Sequence, residues 1–479
     1  MGLLVQKKNL EVEKIKMPLV PDSVWLLGHI FNELALFSAT GYLVIGVDEI
    51  AIDLIWLGTR VWHRIHGDRF NPHHSIDCLP KRANPEWFAV FIPARDESAV
   101  IGQMLDGAFR SYSKQHVHIF VGCYPDDPRT IEIARRYEGE KLSVVVLNHS
   151  DPSTKAECLN ELYLTIKENE CRFGRRFAGF VLHDAEDVIH RHEIDVFDAF
   201  VDRYGMIQLP VVPLRDENSR WIAGHYCDEF AEAHAKRMIV RQVLGAALPS
   251  AGVGCMIRRD AIEALADLGN GRPFAEDSVT EDYEVGLRIV DLGFNSAFLR
   301  IAAPGDYRIV ATTAHFPASL KDSVRQKTRW VAGISLAAWD RMGWGRGWIE
   351  KWMRLRDRAS LVSAVVSMSG YIAALLGGLL FIDHAVQQWR PDPFDKTILA
   401  MVEINGLILV WRLGFRFLFV ARLYGGSEGR WSVPRIAVSS VVAILSTSLA
   451  VFVYLKERQT GKVKWDKTAH KYPTPNISK

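Results

Sequence analysis

Four apolar segments, one before and three after a long stretch of soluble composition, decide most of what this chain can become. They are residues 34–47 (LALFSATGYLVIGV, extended by 25–31 and 50–57), 359–382, 398–420 and 436–455. Each approaches the roughly 20 residues needed to cross the hydrocarbon core of a bilayer. The average conceals them: 48% of residues are hydrophobic, 24% are charged, and mean hydropathy is +0.01. A chain built mostly of spans would be far more hydrophobic, and a disordered one poorer in apolar residues. The pattern describes one large soluble insert held between membrane helices. A net charge of +2 gives no basic surface for nucleic acid.

The insert alternates between strand and helix patterns. Residues 87–92, 117–123, 144–147 and 179–182 read as buried strands, and 98–112 and 156–166 as helices with one apolar face. Such alternation predicts an α/β fold, a mostly parallel sheet covered by helices. Ligands of these sheets bind beyond the carboxyl ends of the strands. Three of the strands run into polar clusters: Arg95–Glu97, Asp126-Asp127 and His183–Asp187.

After the insert, residues 337–358 interleave Trp339, Trp344, Trp348 and Trp352 with six Arg and Lys residues, as suits a helix at headgroup level. Five units follow: an N-terminal segment with the first span (1–60), the α/β domain (61–336), an interfacial amphipathic helix (337–358), C-terminal membrane or interfacial helices (359–456) and a basic tail (457–479). The six cysteines, Cys78, Cys123, Cys158, Cys171, Cys227 and Cys255, are scattered without a CxxC pair. Reduced thiols in the cytosol are expected. The opening residues lack the apolar core of a cleavable signal peptide.

Three clusters could carry chemistry. The first is His183-Asp184-Ala185-Glu186-Asp187, whose carboxylates at a strand end suit a hard divalent cation; a solvated acidic turn is the plain alternative. The second is Thr280-Glu281-Asp282 at a helix start, where acids also simply favour the helix dipole. The third is Gln326-x-x-Arg329-Trp330, which one helical turn aims at a common ligand. Arg offers a donor fork for phosphate and Trp a flat face for a sugar ring. His183 and His190 read as structural neighbours. Gly252-Val253-Gly254 lacks the third glycine of a dinucleotide fingerprint.

Taken in order, Pro93-Ala94-Arg95-Asp96-Glu97, Asp126-Asp127, Asp184–Asp187, Thr280-Glu281-Asp282 and Gln326-x-x-Arg329-Trp330 resemble the family 2 membrane glycosyltransferases, the processive synthases of cellulose, hyaluronan and chitin among them. More narrowly, Tyr124–Pro128, His183–His190 and Trp465–His470 resemble the bacteriophage adsorption protein B group. The resemblance implies a GT-A-type domain between transmembrane helices. It implies an inverting enzyme at the bacterial inner membrane that builds a surface or exopolysaccharide from a nucleotide-diphosphate sugar, with UDP-sugar the expected donor. Asp282 would be the general base. Glu97, Asp126, Asp127, Lys155, Glu281, Gln326, Arg329 and Trp330 would bind nucleotide or substrate. Asp184, Glu186 and Asp187 would hold Mg2+ or Mn2+, with Glu186 standing where the family has a second Asp. The implied partners are the donor, a growing glycan or lipid acceptor, the bilayer and an outer-membrane export protein. Single transfer to a lipid phosphate, or a non-catalytic scaffold, are the alternatives. Some members of the group continue into a domain that binds cyclic di-GMP; with nine residues after His470, that control is not expected here.

With the catalytic domain in the cytosol, three later crossings would leave the tail outside. Yet the tail from Lys456 has seven Lys or Arg against two acids, and basic loops prefer the inside. Residues 436–455 are therefore expected to lie at the interface or re-enter. Arg412 and Arg416, one turn apart at membrane depth, are expected to pair with acids of the first span or line a sugar path.

Overall fold

The apolar run that begins at Trp87 becomes the centre of a seven-stranded sheet. The computed structural model describes residues 22–66, 74–148, 154–303, 309–387, 395–460 and 472–473. Helix α1 (Asp22–His66) precedes β1 (Trp87–Ala94), α2 (Ile101–Ser111), β2 (Val117–Cys123), α3 (Pro128–Arg135), β3 (Leu142–Val146), α4 (Lys155–Phe173) and β4 (Phe177–Leu182). Then come α5 (Glu193–Phe200), β5 (Met206–Gln208), β6 (Val211–Pro213), α6 (Ile222–Glu232), α7 (Met238–Val243), β7 (Cys255–Arg258), α8 (Arg259–Leu268), α9 (Glu281–Asp291), β8 (Ser296–Phe298) and β9 (Thr312–Ala314). The chain ends in helices: α10 (Leu320–Trp330), α11 (Ala338–Met342), α12 (Trp348–Arg358), α13 (Ser360–Gln387), α14 (Lys396–Tyr424), α15 (Gly426–Ser432) and α16 (Arg435–Thr460).

The sheet order is β3-β2-β1-β4-β7-β5-β8. Strand β1 runs parallel to both β2 and β4, while β7 is antiparallel to β4 and β5. Side chains alternate across the pleat. Phe88, Val90 and Ile92 pack with Met104 and Leu105 of α2 on one face. Ala89 and Phe91 pack with Leu159 and Leu162 of α4 on the other. Each large side chain so buried stabilises the fold by about 1.5–3 kcal/mol. Covered on both faces, the central strands are apolar but for His118 of β2, which is why they were legible as buried runs. Because β1 lies between β2 and β4, the carboxyl ends of all three open side by side.

Helices α1, α13, α14 and α16 are long and apolar enough to cross a membrane, and they coincide with the four apolar segments. The first continues to His66, beyond the boundary drawn at residue 60. Cys78, Cys123, Cys158, Cys227 and Cys255 are free thiols.

The single helix expected over 337–358 is corrected to two. Gly343, Gly345 and Gly347 take φ of 57°, 70° and 82°, the left-handed region glycine enters without strain, and they break α11 from α12. Two of its basic residues, Arg354 and Arg358, also turn inward. Arg354 is fully buried, donating to Glu350 (2.6 Å) and to the Met342 carbonyl (2.8 Å).

The two arginines of α14 singled out in the sequence find partners. Arg412 of α14 pairs with Glu49 (2.8 Å) and Asp53 (3.5 Å) of α1 and with Glu232 of α6 (2.8 Å). Arg416 turns instead to Asp228 of α6 (3.0 Å) and Ser439 (3.2 Å).

Candidate active site

The ends of β1 and β4, the start of α9 and helix α10 surround one cavity of about 2120 Å³. Ten of the twelve residues singled out in the sequence line it: Glu97, Lys155, Asp184, Glu186, Asp187, Glu281, Asp282, Gln326, Arg329 and Trp330. Asp126 and Asp127 do not. Asp126 pairs with Arg95 (3.0 Å). Asp127 caps α3, accepting from the Thr130 amide (3.2 Å), and its other oxygen takes the Asp96 amide (2.6 Å). It thereby pins the β1 turn, where Asp96 has φ of 53°.

Lys155 opens α4 and reaches the end of β4, where its ammonium meets Asp184 at 2.5 Å. Burial alone would lower the Lys155 ammonium, but Asp184, Glu281 and Asp282 more than offset it and hold it above the usual lysine range. Asp187 faces the same cavity but is engaged from behind. Its Oδ2 accepts from the Asp184 amide (3.0 Å) and contacts His183 Nδ1 (2.9 Å). His183 is fully buried and meets Glu193 through Nε2 (2.9 Å), while the Tyr112 hydroxyl donates to Glu193 (2.6 Å). Burial alone would discharge His183, but Glu193 and Asp187 push it up to about 10. His183 therefore stiffens the acidic turn from beneath.

Asp282 sits in the first turn of α9, and its Oδ1 accepts from the Tyr283 amide at 2.7 Å. Burial pushes its carboxyl upward; Lys155 and Arg329 oppose the shift and Asp184 adds to it. Glu281 is likewise pushed up, by burial and then by the charge of Asp282. Across from them, Gln326 keeps a buried Oε1 with no hydrogen-bond partner among the described residues. Trp330 packs edge-on with Tyr226 (6.2 Å) and Phe316 (6.5 Å).

Gly252, of the glycine pair set aside in the sequence, proves to shape the site. Gly252 has φ of 73°, and a Cβ there would come within 2.4 Å of Asp282 Oδ2. Gly333, one turn past Trp330, leaves no room for a Cβ either, which would meet Thr280 at 2.4 Å. So the motif helix packs directly on the cap of α9. Gly333 adjoins its motif in the sequence but Gly252 lies thirty residues from Asp282, so neither carries this meaning until the elements meet in the fold.

Among the described residues, no three Asp, Glu, His or Cys side chains converge as a ready metal cage. Asp184 and Glu186 offer hard oxygen donors from one turn, which suits Mg2+ or Mn2+ completed by phosphate oxygens and water.

A mostly parallel sheet whose central strand ends frame a carboxylate-lined cavity is a GT-A-type domain, here carried on helices able to span a membrane. Residues 85–333, more than half of the chain, match the family described as glycosyltransferase like family 2, and the chain belongs to that family. It is 30% identical, over 94% of its length, to bacteriophage adsorption protein B of Escherichia coli strain K12. It is equally similar to bacteriophage N4 adsorption protein B of Escherichia coli O157:H7. The chain spans 63% of the length of each. Among solved structures it is similar to the mannosyltransferase PcManGT of Pyrobaculum calidifontis, in complex with GDP-Man and Mn2+. That match has 14% identity and a TM-score of 0.47, over 85% of this chain and 99% of that one. For TarS 1-349 of S. aureus the values are 12% and 0.34, over 78% and 92%. The motif Trp465–His470 lies outside the described residues.

Proposed function

We propose that this chain is an inverting glycosyltransferase of the bacterial inner membrane. It transfers sugar from a nucleotide diphosphate, with a UDP-sugar the expected donor, to a growing surface or exopolysaccharide. The observation that carries the proposal is the convergence of Asp184, Lys155, Asp282 and the Gln326–Trp330 helix on one cavity. Asp282 takes the proton from the acceptor hydroxyl. The freed oxygen attacks the anomeric carbon from the face opposite the diphosphate, and the bond from that carbon to the leaving oxygen breaks. Gln326 and Trp330 hold the acceptor sugar, while Arg329 and Lys155 attract the diphosphate. Asp184 and Glu186 would hold a divalent cation, which when bound supplies positive charge beside the leaving group.

The cavity also continues between α1, α13 and α14 as far as Phe31, Gly377 and Ile398. That extent suits an acceptor that itself enters the membrane. Charge favours a neutral glycan over a lipid phosphate there. Lys236, Arg237, Arg356 and Arg412 are matched by Asp48, Glu49, Asp53 and Glu232, leaving no surplus cation in this cluster for a phosphate. Membranes containing the protein are expected to convert a labelled UDP-sugar into polymer. Chelation should stop turnover, and Mg2+ or Mn2+ should restore it. Label confined to an extractable glycolipid would replace the polymer with single transfer, and no transfer from any nucleotide sugar would sink the proposal.

A further inference from the structure

Helix α16 carries the most apolar 18-residue stretch of the four candidate spans, yet it is bonded to α6, α10 and α11 near its start, middle and end. At its start, Arg435 is buried and binds Asp228 of α6 through Nε (2.9 Å) and Nη2 (2.7 Å). Near its middle, the Ser446 carbonyl accepts from Thr328 of α10 (3.3 Å). Close to its end, Tyr454 and Arg458 both bond Asp340 of α11. Neighbouring Arg341 is in turn anchored to Glu284 of α9 (2.9 Å). A helix that left the domain at Arg435 and crossed would carry Tyr454 about 28 Å away at 1.5 Å per residue.

Its two faces differ accordingly. Val441, Leu445, Leu449, Phe452 and Leu455 are exposed at spacings of four, four, three and three. Val442, Ser446, Thr447 and Ala450 on the opposite face are buried. The serines are no obstacle to lipid in either arrangement, because Ser440 and Ser448 each donate to the carbonyl four residues back.

We infer that α16 does not cross the bilayer. It lies in the plane of the leaflet nearest the catalytic domain, with one face on that domain and α13 and the other in lipid. The inference rests on α13 and α14 forming a hairpin out and back, and the end of α14 does return: the Tyr424 hydroxyl donates to the Pro213 carbonyl (2.7 Å). The tail agrees. Tyr472 packs against the core beside α2, with its hydroxyl where a Cβ on Gly107 would come within 2.5 Å. It lies twelve residues beyond Thr460, a reach of at most about 40 Å. Had α16 crossed, those residues would have to recross about 30 Å of hydrocarbon. An in-plane α16 keeps the basic tail on the domain's side, as basic segments prefer if that side is the cytosol. It also places α16 itself against Thr328, between Gln326 and Arg329 of the acceptor motif, with lipid beyond its outer face.

Nitroxide labels at Val441, Leu445, Leu449 and Phe452 of the full chain in lipid vesicles test this by their depth. An in-plane helix gives four nearly equal depths. A crossing helix moves the label through about 16 Å between the first and the last, and such a gradient would overturn the inference. An impermeant maleimide gives a second reading on intact cells. Gln459→Cys should react from the same side as Cys78, the exposed thiol of the catalytic domain. Reaction from the opposite side would overturn the inference as well. Asp395→Cys, at the start of α14, separately reports whether the α13–α14 hairpin crosses.

Discussion

Replacing Asp282 by Asn is expected to lower kcat by roughly 10²–10⁴-fold, the range of a positioned general base, with donor binding nearly unchanged. Asn keeps the shape and can still accept the Tyr283 amide, so the α9 start should persist. What it loses is the lone pair that takes the acceptor proton. Asp184→Asn should fail differently, because it removes an anionic donor facing Lys155 and the candidate cation site. Nucleotide affinity in the presence of metal should fall. Asp277 supplies the control. Its side chain is 73% exposed and only distantly paired with Arg341 (3.9 Å), so Asp277→Asn should be mild. The wild-type pH profile adds a sign. Burial raises the Asp282 carboxyl, and the base works only when deprotonated. The acidic limb of kcat/KM should therefore lie above the ordinary carboxylate range, with activity rising as pH rises through it. Lys155→Met removes a charge that favours the carboxylate, and should move the limb to higher pH still. Titrations in which Asp282→Asn loses the nucleotide while Asp277→Asn loses turnover would relocate the base.

What the sequence disclosed follows from which forces act locally. Strands β1, β2 and β4 were legible because helices cover both faces of the sheet, so their residues are apolar but for His118 of β2. The four long helices were legible for a similar reason, since the solvent around them demands apolar side chains. The site was legible as an ordered series of short motifs, and ten of its residues do share a cavity. Asp127 shows the limit of that approach. A carboxylate at a strand end looks the same in sequence whether it meets a ligand or, as here, two backbone amides. Gly252 was passed over because its role is to yield space to Asp282, thirty residues away, and no local pattern records a close approach. The break at Gly343–Gly347 was legible in principle, because three alternating glycines oppose a continuous helix. The Trp and Arg spacing around them hid it. The antiparallel insertion of β7 between β4 and β5 is a tertiary choice that no single segment encodes.

The other large effect concerns stability. Lys236 is fully buried in the π-helical turn of residues 233–237, between Asp53 of α1 and Glu232 of α6. Asp53 is equally buried and also accepts from Trp411 of α14 (2.9 Å). The cluster thus ties the first span and α14 to the catalytic domain at a single point. Burial alone would raise the Glu232 carboxyl, but Arg237, Arg412 and Lys236 more than offset it and keep it ionised. Lys236→Met removes the cation and leaves two buried carboxylates to share Arg412. Breaking a buried pair from one side typically costs about 3–5 kcal/mol. Purified protein should lose on the order of 10 °C in Tm, and folded yield should fall with it. Asp53→Asn alone should also destabilise, because Lys236 then faces fewer acids. The double variant, neutral at both positions, should be more stable than the sum of the single losses allows, giving a coupling of about 0.5–3 kcal/mol. Single losses that add without coupling, together with an unchanged Tm for Lys236→Met, would mean that water reaches the cluster and that apolar packing alone holds the helices to the domain.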